Sequence, residues 1–269
     1  MVAVGNEWLH PTALIGQDVV LAPDVRVGPY AILDGAIRLG PGCVVGPHVH
    51  LLGKVVAGAN NLFHTGCVIG DAPQHTAYAG EATGVEIGDG NTFREYATVH
   101  RGMPATGKTV IGDNNLFMVS SHVAHDCRVG NRTIFANSAV IAGHVEVHDG
   151  AFLSGNTAVH QFCRIGRLSM LGGTTAATQD LPPFWIVQGI NLAHGINVIG
   201  MRRAGIANVE IQAVRRAYKL ICRSGLTIGA AVAQAEAADG HLPAVQELVE
   251  FIRGTKRGIV TGQARGADE

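Results

Sequence analysis

The amino-acid sequence predicts a mostly β protein, a parallel β-helix of hexapeptide repeats over residues 1–190, followed by a C-terminal α-helical domain over 191–269. Three observations predict it. A large apolar side chain recurs at every sixth residue, a glycine often follows it, and beyond about Asn191 the apolar spacing changes to that of a helix.

The six-residue ruler starts at Ile15 and runs through Leu21, Val27, Leu33, Leu39, Val45, Leu51, Ala57, Phe63 and Ile69, with Ala57 its one small member. It resumes at Ile87, Phe93 and Val99, and then runs unbroken from Ile111 to Leu171. Each hexad reads as a short strand and a turn, and three hexads, about eighteen residues, close one triangular coil. The ruler residues point inward and stack coil upon coil. The glycines after them (Gly28, Gly46, Gly112, Gly130) ease the turns.

Two excursions interrupt the ruler, at 71–84 and 100–110, and carry His, Gln, Arg and Lys in place of apolar residues. Insertions in a solenoid project as loops and often carry function. After Leu171 the ruler fades, and Pro182-Pro183 leads the chain out of the coil. Apolar residues at Val209, Ala213, Ala217, Leu220 and Ile221 predict a helix, and 227–238 and 243–253 read as two more, separated by Asp239-Gly240. Arg202, Arg203, Arg215, Arg216, Lys219 and Arg223 make this part basic. A helical tail would cap one end of the solenoid, and closed association as a homotrimer would bury a flat face.

Composition narrows the function. The 269 residues hold 20 Lys and Arg against 21 Asp and Glu, a net charge of −1, which argues against a nucleic-acid binder. No run of eighteen apolar residues exists, so no integral membrane segment is expected. Met1 to Pro11 shows no basic flank followed by an apolar block, so no signal peptide is expected either. Cys43, Cys67, Cys127 and Cys163 share one place in the repeat and read, with Cys222, as reduced thiols in a cytoplasmic protein.

Histidines gather at His100, His122, His125, His144, His148 and His160. Stacking by eighteen puts Gly143 over His125 and Gln161 over Gly143, so that His122, His125, His144, His160 and Gln161 form one vertical patch. Two chemistries suit it: metal binding through neutral imidazoles, and general-base catalysis beside a backbone oxyanion donor such as Gly143. No Gly-x-Ser-x-Gly elbow is present.

The pieces His122-Val-Ala-His125-Asp126-Cys127, Ala142-Gly143-His144 and Ala158-Val159-His160-Gln161-Phe162-Cys163 resemble the UDP-N-acetylglucosamine O-acyltransferase family, as do His100-Arg101-Gly102, Gln179 to Pro183 and Ala217 to Ile221. The resemblance implies a left-handed β-helix trimer with sites between subunits. It implies transfer of a 3-hydroxyacyl chain from acyl carrier protein to the 3-position of UDP-N-acetylglucosamine, early in lipid A biosynthesis, with no cofactor and no metal. His125 would be the general base, Asp126 its support, Gly143 the oxyanion donor and His144 a positioning group. His122, His160, Gln161, Gln74, Asn197 and Arg203 would bind substrate, and Gly173 would set acyl length. The chain departs from the family pattern at His75 and Ala77 in the first loop and at Ile199 and Ala204 near the tail. These departures leave open a modified acceptor such as a 3-amino sugar. A zinc-dependent carbonic-anhydrase-like trimer and a non-catalytic solenoid are the readings outside acyl transfer.

Overall fold

The computed structural model describes residues 8–261. Short parallel strands, most of two residues, stack into a left-handed parallel β-helix with four C-terminal helices. Strands pair with the strand eighteen residues on: Leu14 with Ile32, His122 with Val140, Ile134 with Phe152. The ruler residues fill the prism. Phe63, Phe93, Phe117 and Phe135 are fully buried and stack ring on ring, with centroids 5.1, 4.8 and 4.9 Å apart. Two positions earlier in the hexad, buried Asn61, Asn91 and Asn115 form a hydrogen-bonded ladder ending at Thr133, which satisfies polar groups the coil interior would otherwise strand. Cys43, Cys67, Cys127 and Cys163 occupy the same hexad position, and all are buried and free. Burial pushes the Cys67 and Cys127 thiols up to about 12, so both are inert packing groups.

The excursions leave the ruler in phase. Val55 pairs with Val85 across the first, and Thr98 with His122 across the second, so the partner lies thirty and twenty-four residues on. The second loop is shorter than the sequence predicts: Lys108–Ile111 is a strand paired with Gly84–Ile87. Two strands are longer than the hexad predicts. Ile32–Leu39 and His50–Ala57 run through a corner and join two faces into one sheet. Gly35 sits at that corner with φ +115°, and a Cβ there would lie 2.2 Å from the Gly53 carbonyl oxygen.

The end of the coil differs from the predicted boundary at 191. Trp185–Gln188 continues the sheet, and Leu192–Ile196 returns antiparallel beside it, so the helices start only at Val198. They are α1 (Val198–Arg203), α2 (Asn208–Arg223), α3 (Ile228–Asp239) and α4 (Pro243–Arg253), the last three matching the predicted segments. Arginines clamp this tail to the coil. Arg164 bonds the buried carboxylate of Asp180 and the Phe251 carbonyl, and Arg167 grips Glu247 of α4 at 2.7 Å. The tail's basic character is partly spent internally, because Arg216 pairs with Asp239. Among the described residues no helix is long and apolar enough to cross a membrane.

Candidate active site

The histidine patch is built at one corner of the prism. His125, Gly143 and Gln161 stand two residues after the ruler positions Val123, Ile141 and Val159, one above another. Asp126, His144 and Phe162 follow them with φ of +63°, +61° and +65°. This left-handed conformation turns each corner, and the coil-to-coil bonds His144 N–H to His125 carbonyl (3.0 Å) and Phe162 N–H to Gly143 carbonyl (3.1 Å) hold it. The sequence arithmetic placed these residues correctly because the coil repeat fixes them.

Nδ1 of His125 donates to Oδ2 of Asp126 at 2.5 Å. Holding the proton on Nδ1 leaves Nε2 as the free basic nitrogen. The Asp126 side chain is wholly buried, and it is well supplied with donors. The Met103 N–H donates to Oδ1 at 2.8 Å, the Thr106 hydroxyl donates to the same oxygen, and Nε2 of His144 lies 3.4 Å from Oδ2. The Asp126 N–H donates to buried Thr109. Burial works to raise the Asp126 carboxyl, but hydrogen bonds from Thr106, His125 and Met103 and the charge of His144 outweigh it and hold it below the usual range.

Gly143 supplies the other half of the site. A Cβ on it would lie 2.6 Å from Cε1 and 2.8 Å from Nε2 of His125, so only glycine lets the imidazole edge rest there. Its N–H also stands outside the coil ladder. The equivalent hexad position holds Pro29, Pro41 and Pro47, which have no N–H to give, while at Ala59, Asp89, Asp113 and Asn131 the N–H goes to an Asp or Asn side chain of the next coil. Among the described residues none accepts from Gly143 N–H. Nε2 of His125 thus lies beside Gly143, whose N–H has no acceptor, and a basic nitrogen near a spare donor is what general-base attack on a carbonyl needs.

The neighbours extend the patch. His122 bonds Thr98 through Nδ1 at 2.7 Å, and burial, with the charges of His100 and His125, holds it down at about 4. It is therefore neutral at physiological pH. His144 stacks on Phe162 at 4.6 Å, and burial, with His125 and His75, lowers it despite Asp126. His160 and Gln161 are exposed at the same corner one coil further on. Gln74 lies exposed in the first loop, and its neighbour His75 reaches His125 edge to face at 5.5 Å. Three predicted residues sit apart from this corner. Asn197 caps α1, accepting from Gly200 N–H and donating to the Leu168 carbonyl, and Arg203 ends that helix on the surface. Gly173 sits at a different corner, in the column of Asn137 and Gly155, where a Cβ would meet nothing nearer than the Gly155 carbonyl oxygen at 3.8 Å. Its lack of a side chain is not demanded by packing.

Sequence reasoning names His75 only as a departure in the first loop, and it misses Met103 and Thr106 as members of the site. Their only signal was their place in excursions from the ruler, because loop conformation is not encoded in the hexad. His125, Asp126 and His144 bring three ligand-type atoms within 4.8 Å of one another. The 2.5 Å approach of Nδ1 and Oδ2 suits a shared proton. Two ligands on one tetrahedral zinc stay about 3.3 Å apart, given bonds of about 2.0 Å.

Known proteins resemble the chain over nearly its whole length. Residues 180–260 match the family described as Udp N-acetylglucosamine O-acyltransferase, domain 2, and residues 108–143 match the six-repeat bacterial transferase hexapeptide family. The acyl-[acyl-carrier-protein]--UDP-N-acetylglucosamine O-acyltransferase of Halorhodospira halophila is 42% identical over 94% of this chain and 98% of its own length. The solved UDP-N-acetylglucosamine acyltransferase of Francisella novicida superposes with a TM-score of 0.91 at 30% identity, over 97% of this chain and 99% of that one. The Moraxella catarrhalis O-acyltransferase superposes at 0.89 with 38% identity, over 94% and 99%. Coil, dyad and kinship converge, and the chain belongs to the acyl-[acyl-carrier-protein]--UDP-N-acetylglucosamine O-acyltransferase family.

Proposed function

We propose that the chain transfers a 3-hydroxyacyl group from acyl carrier protein to the 3-hydroxyl of UDP-N-acetylglucosamine, an early step of lipid A biosynthesis, with His125 as general base. The observation that carries the mechanism is the His125–Asp126 pair with its imidazole edge resting on Gly143, whose N–H is spare. His125 Nε2 takes the hydroxyl proton as the sugar oxygen attacks the thioester carbon. The oxyanion gathers charge beside Gly143 N–H. Collapse breaks the carbon–sulfur bond, and the imidazolium returns its proton to the departing sulfur of acyl carrier protein. Asp126 stabilises the imidazolium between these steps, and no metal or cofactor is needed.

The working unit is a homotrimer. One outer face carries Val44, Leu62, Leu116, Ile134, Phe152 and Met170, a run of half-buried or exposed apolar side chains suited to burial against a second copy. Gly173 and His125 occupy different corners of one prism, so an acyl chain reaching from one to the other must lie between copies. A convex corner has no walls of its own. A 440 Å³ cleft of the single chain, lined by Arg128, Glu146, His148, Arg167 and Glu247, lies elsewhere. Gln74, His122, His160, Gln161, Asn197 and Arg203 line the substrate path in this assembly, His144 positions the reacting groups, and the enzyme works in the cytoplasm.

The test is an assay matrix of acyl-carrier-protein chain lengths against UDP-N-acetylglucosamine and its 3-amino analogue, following thiol release. Release that depends on UDP-N-acetylglucosamine is expected. No release with any acceptor would overturn the reading, and release with the amino sugar alone would change the acceptor. Sedimentation should give a trimer; a fully active monomer would remove the shared site.

A further inference from the structure

We propose that Thr106, in the second loop, is a positioning residue that tunes the basicity of His125 through Asp126. The inference rests on the reading of His125 as base and goes beyond it. Asp126 uses its two oxygens differently. Oδ2 faces the imidazoles, taking the His125 Nδ1 proton at 2.5 Å with His144 Nε2 at 3.4 Å. Oδ1 faces the loop and takes the Met103 N–H at 2.8 Å and the Thr106 hydroxyl. The hydroxyl has a second acceptor in reach, the Lys108 carbonyl at 3.3 Å, but it has a single proton, and an ionised carboxylate is the stronger acceptor.

The second loop therefore has a task that its polar sequence did not reveal. It covers the carboxylate, whose side chain is wholly buried, and fixes the oxygen that does not touch the base. Every donor on Oδ1 draws charge away from Oδ2. Less charge on Oδ2 means a less stabilised imidazolium, hence a weaker base that stays unprotonated and ready at lower pH. The other titratable groups facing His125 are His75 from the first loop, His144 from the next coil, and His100 and His122 on the adjoining face. None of them touches Oδ1. Thr106 and the Met103 N–H are the groups that hold it, and only Thr106 can be altered through a side chain.

Thr106→Val keeps the shape and removes the hydroxyl, and Thr106→Ser keeps the hydroxyl. The measurement is the pH profile of kcat/KM for both variants beside wild type and His125→Ala, with thermal melts to verify folding. In Thr106→Val the acid limb should move up by about one pH unit, the size of one hydrogen bond to a charged group. At the optimum, above the limb, kcat and KM for the nucleotide sugar should both hold. Thr106→Ser should restore the limb. A Thr106→Val enzyme with an unmoved acid limb, beside an inactive His125→Ala, would overturn this proposal while leaving the base in place. An active His125→Ala would instead remove the reading on which the proposal rests. If Thr106→Val melts early, Thr106→Ala takes its place: an acid limb moved up supports the hydroxyl, and an unmoved limb overturns the proposal.

Discussion

Nδ1 of His125 meets Oδ2 of Asp126, the next residue in the chain, at 2.5 Å across a corner where Asp126 adopts φ +63°. Adjacent residues in extended chain point to opposite sides and cannot pair this way. The left-handed corner brings them together and leaves Nε2 facing Gly143.

Removal of the base is the most direct consequence to measure. His125→Ala should lose about 10²–10⁴-fold in kcat, the contribution of a positioned general base. Binding of UDP-N-acetylglucosamine, read by calorimetry, should change little. A variant keeping a tenth of wild-type turnover near neutral pH would refute the role.

Gly143→Ala probes the oxyanion side. The new methyl would stand 2.6 Å from His125 Cε1, so the ring must move although the backbone can stay. Turnover should drop by about 10²-fold or more, as when an oxyanion arrangement is spoiled, with the melting temperature nearly kept. Wild-type turnover in a folded variant would show that the ring and the N–H do not act together.

Gly173→Met tests acyl length. The fold has room for the side chain, because nothing lies within 3.8 Å of its Cβ position. The variant should stay trimeric and prefer shorter acyl chains, each lost methylene contact being worth about 0.8 kcal/mol. An unchanged chain-length profile would take Gly173 out of the acyl path.

Ala77→Lys tests the altered first loop. The Ala77 N–H donates to His75 Nδ1 at 3.2 Å, a backbone bond that lysine keeps. A cation there should lower KM for UDP-N-acetylglucosamine about tenfold, equivalent to about 1.4 kcal/mol, without altering KM for acyl carrier protein. Equal KM values in both enzymes would mean that the loop does not meet the phosphates.

His122 gives a pH dependence of stability. Its folded value of about 4 lies below the ordinary 6.5 because burial disfavours the charged ring. Above 6.5 both folded and unfolded states are neutral and no penalty exists. As pH falls from 6.5 towards 4, the unfolded chain takes up a proton that the folded one refuses, so stability is lost through that window, by on the order of 3 kcal/mol in full. Urea melts at pH 7 and pH 4.5 should show the loss in wild type and a smaller one in His122→Gln. Equal losses would assign the effect to other groups.

The coil was legible in the sequence because one number, six, governs which side chains point inward, and Phe63, Phe93, Phe117 and Phe135 obey it. The site was legible for the same reason: His125, Gly143 and Gln161 differ by one full coil. Where the period stops, so does the reading. Leu192–Ile196 is a short return strand containing Gly195 and shows no alternation to mark it. The Thr106–Asp126 contact depends on how a loop folds back, which no spacing records. Asn197, matched to a substrate-binding position, also serves as a helix cap through bonds only coordinates reveal.

The left-handed corners that carry Asp126, His144 and Phe162 repeat with the strand spacing of about 4.8 Å. The gap between His125 and Gly143 therefore behaves as a lattice constant, inherited from the backbone and not tuned by packing around it. Every outward position acquires an address of two coordinates, a corner and a level. A new polar group can be introduced at a known height above His125 by editing a single residue, while the rest of the column stays in place.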